Sequence, residues 1–405
     1  MSSGASLGLD VHGGADVFTH LNPEKTFFAK QVQTHTHFTR YPKEFLLNNN
    51  SDFKFGKTYK FEIDKPADLM GEIRFKIGLD KLDSGNGGAR WTNDVGHAMF
   101  EQIKLIIGNL EIDVLDDMLM HVEETLYTPT DKRTDSLTLQ STSTAQLTNW
   151  AQGDRLLYVR LPFYWREHPG YYLPTVGMYL SKIELQVKFR KLDELVVANN
   201  NVYNVAAETA GISSFTVHGD LYLLSEAEQN YFADGSFFHV FTQHQHYETL
   251  IKQGSKDAKV TFQLKHPCKE LNIVFRSAAN VSNKNYYNFS GEEPDPTPGD
   301  CFKGMYLQIN QTDWMDAHDP LYFRIIENVM FHSVVPQKHI YTFSFALFPQ
   351  LIDPTGTLNF SRLDSATLIM NFSAALSQDY EMHILTKNLN GLTIENGVTR
   401  LEFGG

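Results

Sequence analysis

The chain has 405 residues and a mass of 46.2 kDa, room for two to four domains at roughly 100–200 residues each. Its 35 basic and 48 acidic residues give a formal charge of −13, while 42% of residues are hydrophobic and 13% aromatic. That composition excludes a disordered tail and a basic protein built to coat nucleic acid.

In chain order, the opening MSSGASLGLDVHGGADVF lacks the charged and apolar regions of a signal peptide, and the first 25 residues hold one lysine, Lys25, and no arginine. No basic arm is therefore expected, and no run approaches the ~18 apolar residues of a membrane span. A period of two then dominates. It runs through Tyr59, Phe61 and Ile63, then Ile73, Phe75, Ile77 and Leu79, and again through Ile183, Leu185, Val187 and Phe189. It returns at Val260, Phe262 and Leu264, and at Tyr341, Phe343, Phe345 and Leu347. Such alternation places the large residues of each run on one face, as a β-sandwich requires. Turn chemistry separates the runs: SGNGG at 84–88, EEPDPTPGD at 292–300 and DPTG at 353–356, the last suited to a type I turn.

Helical pattern is confined to short pieces, the best being 225–235, where Ser225 and Glu228 have capping-box spacing. This stretch reads as the hinge between two β halves. QVQTHTHF (31–38) and FTQHQHYE (241–248) stand near the start of each half, and a His-x-His pair in both suggests an internal duplication. Segments 127–153, 194–213 and 276–304 read as long irregular loops, the first and third expected to project together from one end of the sandwiches.

Little here points to chemistry. Two His at i and i+2 on a strand share a face and can chelate a metal, but Glu248 follows His246 by two positions and Glu44 follows His37 by seven, neither the cupin spacing. No catalytic, cofactor or metal residue is therefore nominated. Adjacent carboxylates at Asp116/Asp117 and Glu123/Glu124 diverge on either a strand or a helix, and read as solvated charge. Of six Asn-x-Ser/Thr sites, Asn49, Asn280, Asn288, Asn310, Asn359 and Asn371, only Asn280 and Asn288 suit a glycan, because they lie in the 276–304 loop. Cys268 and Cys301 are the only cysteines, as expected of a reducing compartment without a disulfide framework.

Four long stretches resemble one family. HIYTFSFALFPQLIDPTGTLNFSRLDSATL (339–368) is similar to the C-terminal signature of the major capsid proteins of nucleocytoplasmic large DNA viruses. The segments 8–38, 161–189 and 262–277 resemble that family's opening, its Leu-Pro-Phe segment and its His-Pro-x-Lys-Glu-Leu segment, in family order. The resemblance implies an all-β chain of two tandem eight-stranded jelly rolls, with short helices only in loops and linker. It divides as an arm at 1–23, a first jelly roll at 24–225, a linker at 226–240 and a second jelly roll at 241–405. It marks Pro354, Gly356, Asn359, Phe360, Ser361, Arg362 and Asp364 as structural signature residues.

Phe360, Arg362 and Asp364 are expected on one face of a strand, with Arg362 held in buried hydrogen bonds at a subunit rim. The resemblance further implies a structural subunit, not an enzyme, with no cofactor. Homotrimers would form pseudo-hexagonal capsomers that meet neighbouring capsomers and minor capsid and penton proteins. They would lie over an internal membrane without entering it, make no direct contact with nucleic acid, and assemble in the host cytoplasm into the virion. A jelly-roll carbohydrate-binding protein is the alternative reading, and a cupin-like metalloenzyme a more distant one.

Overall fold

Ile73, Phe75, Ile77 and Leu79 share one buried face of a single strand, and the other alternating runs likewise sit in or beside strands. The computed structural model describes residues 3–30, 32–45, 52–82, 89–198, 210–294 and 297–403. The SGNGG segment, Asn49 and part of the 194–213 segment lie outside them. Two compact units divide between His37 and Phe38. The first carries helices α1 (Ser3–Asp10) and α2 (Val17–His20) and then runs without regular structure through His35 and His37. The first His-x-His pair is thus not in a strand, contrary to expectation: β1 begins only at Phe38.

Within the second unit, residues 38–224 form β1 (Phe38–Phe45), β2 (Thr58–Ile63), β3 (Leu69–Leu79), β4 (Arg90–Trp91), β5 (Phe100–Ile107), β6 (Leu110–Leu115), β7 (Arg155–Arg160), β8 (Ile183–Phe189), β9 (Val196–Val197) and β10 (Ile212–Leu224). Helices α3 (Val95–Ala98), α4 (Asp117–Tyr127), α5 (Thr144–Ala151) and α6 (Leu192–Leu195) fill the connections. The sheets run β1-β10-β3-β7 and β2-β8-β5-β6, all antiparallel, while β4 pairs with β9. Phe75, Phe100, Phe189 and Phe215 meet between them, with ring centroids 4.9–5.5 Å apart along the chain of contacts.

After α7 (Glu226–Asp234) the pattern repeats, with β11 (Phe237–Ile251), β12 (Asp257–Phe262), β13 (Pro267–Ser277), β14 (Gly304–Ile309), β15 (Thr312–Asp313), β16 (Tyr341–Ser344), β17 (Leu358–Asn359), β18 (Ala366–Asn371), β19 (Tyr380–Glu395) and β20 (Val398–Leu401). Here α8 (Ala278–Ser282) and α9 (Glu327–Phe331) lie in connections. The orders are β11-β19-β13-β16, with β17 and β20 attached, and β12-β18-β14-β15. Leaving aside the short pairs, each half therefore places its first strand beside its last in one sheet and its second beside its penultimate in the other. This is the antiparallel jelly-roll order, repeated once.

Several local expectations are corrected. The strand expected to run to Leu347 stops at Ser344, leaving Leu347 exposed. Ser225 stands at the N-cap of α7 but its side chain makes no capping bond. Residues 353–356 do not close a type I turn: the loop is held by Leu347 N–H donating to the Thr355 carbonyl and Phe348 N–H to Thr355 Oγ1. Gly356 has φ +135°, and a Cβ there would lie 2.8 Å from the Phe345 carbonyl oxygen, so only glycine fits.

Phe360–Arg362 is one 3-10 turn, not a strand, because the Asn359 side chain caps it by accepting the Ser361 N–H. The turn is tied to the His-Pro segment, since Ser361 Oγ accepts the His266 N–H and Phe360 N–H donates to the His266 carbonyl. Phe360 is buried beside Phe262 and Phe345, whereas Arg362 and Asp364 are exposed. A short turn that commits its first residue to the core leaves Arg362 exposed, with no buried partner among the described residues.

Phe360→Ala is accordingly expected to destabilise the chain by ~3–5 kcal/mol, while Arg362→Ala leaves the melting temperature of the isolated chain unchanged. Thermal denaturation of both variants checks the pair.

Candidate functional site: the seam between the two β halves

Helix α4 begins where Asp116, in extended conformation, accepts the Leu119 N–H at 2.8 Å. Nine of its eleven residues are buried, Asp117, His121 and Glu123 among them. Charge placed inside a protein demands partners, and these come from both halves. Asp117 accepts from Arg190 at 3.1 Å and from the Tyr287 hydroxyl at 3.2 Å. His121 stacks on Tyr287 with centroids 4.0 Å apart, pairs with Asp94 through Nδ1 at 2.5 Å, and accepts from Lys338 Nζ at Nε2.

Glu123 carries the centre. Its Oε2 lies 2.8 Å from His244 Nε2, and its Oε1 lies 3.8 Å from both Lys387 Nζ and Arg166 Nη2. His244 is gripped on its other side by Asp113, which accepts from the His244 backbone N–H at 3.0 Å and from Nδ1 at 2.8 Å. Lys387 donates to Glu167 at 2.5 Å and lies 4.2 Å above the Tyr127 ring. The Tyr127 hydroxyl donates to Glu270, whose other oxygen meets His332 at 3.0 Å.

Strand register explains the seam. On β11 and β19, His244 opposes Lys387 and His246 opposes Leu385, so these residues share the sheet face turned to α4. The opposite face supplies Met382 and Ile384 to the core of the second half. Burial alone would push the His244 imidazole down, but Asp113 and Glu123 overcome it and hold it at about 10. Burial would raise Glu123, yet Lys387, His244 and Arg166 hold it at about 2. Both groups are therefore charged at neutral pH.

Sequence reasoning missed this set. Asp116, Asp117 and Glu123, read as solvated, are capping or buried partners in the seam, and only Glu124 keeps partial exposure without a place in it. Of the signature residues, Asn359, Phe360 and Ser361 sit against β13 and the second core, while Asp353 beside Pro354 accepts from the Tyr171 hydroxyl of the first half. Segments 127–153 and 276–304 do meet, lining a cleft of about 510 Å³ with Ser141, Thr142, Asn285 and Ser290 among its walls. Neither is a bare loop, however: α5 fills one, and the other buries Tyr286, Tyr287 and Phe289. Asn280 and Asn288 are half-buried there and bond each other, each side-chain amide nitrogen taken by the other residue.

The charge states fix a pH signature. His244 is raised in the folded chain, so its contribution is full below its ordinary value of 6.5 and fades as pH climbs toward about 10. Glu123 is lowered, so its contribution is full above 4.5 and fades toward about 2. His244→Gln leaves two buried carboxylates short of a partner and should cost ~3–5 kcal/mol. The melting-temperature gap between the parent chain and this variant should be widest between pH 4.5 and 6.5 and narrow steadily toward pH 10.

With this geometry established, comparison with known proteins is direct. Residues 26–224 match the family described as major capsid protein N-terminus, and residues 228–399 match the large eukaryotic DNA virus major capsid protein. The chain is similar to the major capsid protein of Paramecium bursaria Chlorella virus 1, at 25% identity over 92% of this chain and 88% of that protein. It is also similar to that of Phaeocystis pouchetii virus, at 23% identity over 99% of each. In fold it resembles the subunit of the PBCV-1 virus capsid (TM-score 0.78, 21% identity, 94% of this chain and 100% of that one) and the Faustovirus major capsid protein (TM-score 0.76, 10% identity, 95% of each). Two matched regions in tandem, a duplicated jelly roll and a seam that joins the copies identify the chain as a member of the major capsid proteins of large eukaryotic DNA viruses, a component of the virion shell.

Proposed function

We propose that three copies of this chain close into a pseudo-hexagonal capsomer, the repeating tile of an icosahedral shell. The observation that carries this reading is the repeated strand order within one compact unit. Two like sandwiches per chain let a threefold ring present six similar sides, so identical tiles fit a hexagonal lattice. A closed ring needs a contact between different faces of neighbouring subunits, here the first jelly roll of one copy against the second of the next. In this scheme the expected division 1–23, 24–225, 226–240 and 241–405 is read as arm, first wedge, linker and second wedge, with the strands of the two wedges starting at Phe38 and Phe237.

Exposed apolar side chains support a protein-covered surface. Leu347, Phe348 and Leu351 are 66%, 59% and 52% exposed in the loop before Asp353, although their segment belongs to the family signature. A lone soluble chain gains nothing from three large apolar groups in water within five residues. The charge of −13 suits a tile that neither touches the genome nor enters the membrane beneath it. Minor capsid and penton proteins would bind the tile margins, and assembly would proceed in the host cytoplasm. Arg362, exposed beside the second sandwich, would act between subunits.

Light scattering of the purified protein should give a particle of about 139 kDa, three times 46.2 kDa. Phe348→Asp should shift that mass toward the single chain while leaving the far-ultraviolet circular dichroism unchanged. A stable 46.2 kDa particle for the parent chain at micromolar concentration would overturn the trimer.

A further inference from the structure

The second His-x-His pair leads to a site that the capsid role does not use. On β11 and β19, Glu248 stands directly opposite His383, and His246 lies diagonally across from it on the same sheet face. His246 turns Nδ1 to Asp116 Oδ2 at 2.6 Å, and a carboxylate oxygen does not approach a bare nitrogen so closely. That nitrogen therefore carries its proton, and in the neutral ring Nε2 is a lone pair.

His383 is 2% exposed, and its Nε2 lies 3.7 Å from Glu381 Oε2 with no other partner among the described residues. A carboxylate on that side favours the proton there, which leaves Nδ1 bare as well. With both rings neutral, His246 Nε2 and His383 Nδ1 are bare and face each other at 2.9 Å, a spacing that either a proton or a metal ion can bridge. Lone pairs at that distance repel unless a cation lies between them. Glu248 Oε2 is 4.0 Å from His383 Nδ1, and the ligand atoms of all three residues lie within 4.8 Å of one another.

We propose that His246, His383 and Glu248 bind one divalent transition-metal ion of the zinc class, with Asp116 and Glu381 orienting the two imidazoles from behind. The charge balance agrees. Asp116, Glu248 and Glu381 are three carboxylates, and Arg276, bonded to Glu381 through Nε and Nη2, is the one guanidinium among them. With neutral imidazoles, two negative charges are left for the ion. Two His nitrogens and a carboxylate oxygen are a zinc donor set, and a His whose outer nitrogen meets a carboxylate is the usual support for it. Around an ion with bonds of ~2.05 Å the nitrogens open to roughly 3.3 Å. Glu248, whose side chain is 56% exposed, has room to turn inward. The ion would pin β11 to β19 and, through Asp116 at the cap of α4, to the first half.

The other histidine cluster does not compete. His97 and His121 both point Nδ1 at the same Asp94 oxygen, and the Lys338 ammonium already occupies His121 Nε2, which repels a metal ion.

The test is calorimetric titration of the chelator-stripped full chain with zinc chloride, together with Co²⁺ followed by its visible absorption. One ion per chain should bind, with a rise in melting temperature at saturating zinc. His246→Asn should abolish binding. Glu248→Gln, at an exposed side chain that leaves folding intact, should weaken it, and Asp116→Asn should weaken it about 10–100-fold. Absence of saturable binding, or binding that survives both His246→Asn and Glu248→Gln, would overturn the assignment and leave a shared proton between the two imidazoles.

Discussion

The structure depends on one constraint: a charge buried between two sandwiches must be paired from both sides. Glu123 sits on a helix of the first half, while His244 and Lys387 sit on strands of the second. Closing the seam takes these ions out of water at several kcal/mol each, and only partners supplied from the other sandwich offset that cost. Apolar contact between the halves favours association over a broad range of angles. Ion pairs with two defined partners each favour one. The seam therefore sets the angle between the wedges, which is the quantity a tile must fix.

The duplication gives the two halves a common strand order but not a common surface. In the second half, β11 and β19 present His244, His246, His383 and Lys387 on the face away from their own core. An outward sheet face ordinarily carries solvated polar groups. Here the same polar residues meet α4, and Tyr286 and Tyr287 cross from the second half to bury against Arg190 and His121. An outer face has thus become an interior without turning apolar. The buried polarity keeps the interface specific, and it places ionisable groups where their protonation bears on stability.

The strands were largely legible because period two is a direct consequence of one-sided burial: Ile73 to Leu79 shows it in sequence and in structure alike. The repeat was legible only faintly, through His244-x-His246 and a pair at His35-x-His37 that lies outside any strand. The seam was not legible. Asp116, Asp117 and Glu123 look like surface charge because, the local cap aside, their partners lie far away in sequence, from Arg166 to Lys387. Helix α4 escaped notice because a helix buried all round has no apolar stripe to reveal it. The Asp116 cap before a Met-Leu-Met run was the available signal. The signature around Phe360 was recognised, but its strand reading failed because Asn359 and Ser361 spend their side chains on a turn and on His266.

The central claim is that the seam makes the two sandwiches one cooperative body. Differential scanning calorimetry near pH 5.5 measures this directly, because a single unit has equal calorimetric and van't Hoff enthalpies. The account predicts one transition for the parent chain, splitting into two when Glu123 is replaced by glutamine together with Lys387 by methionine. Two well-separated transitions in the parent chain would show that the halves melt independently, and would contradict it.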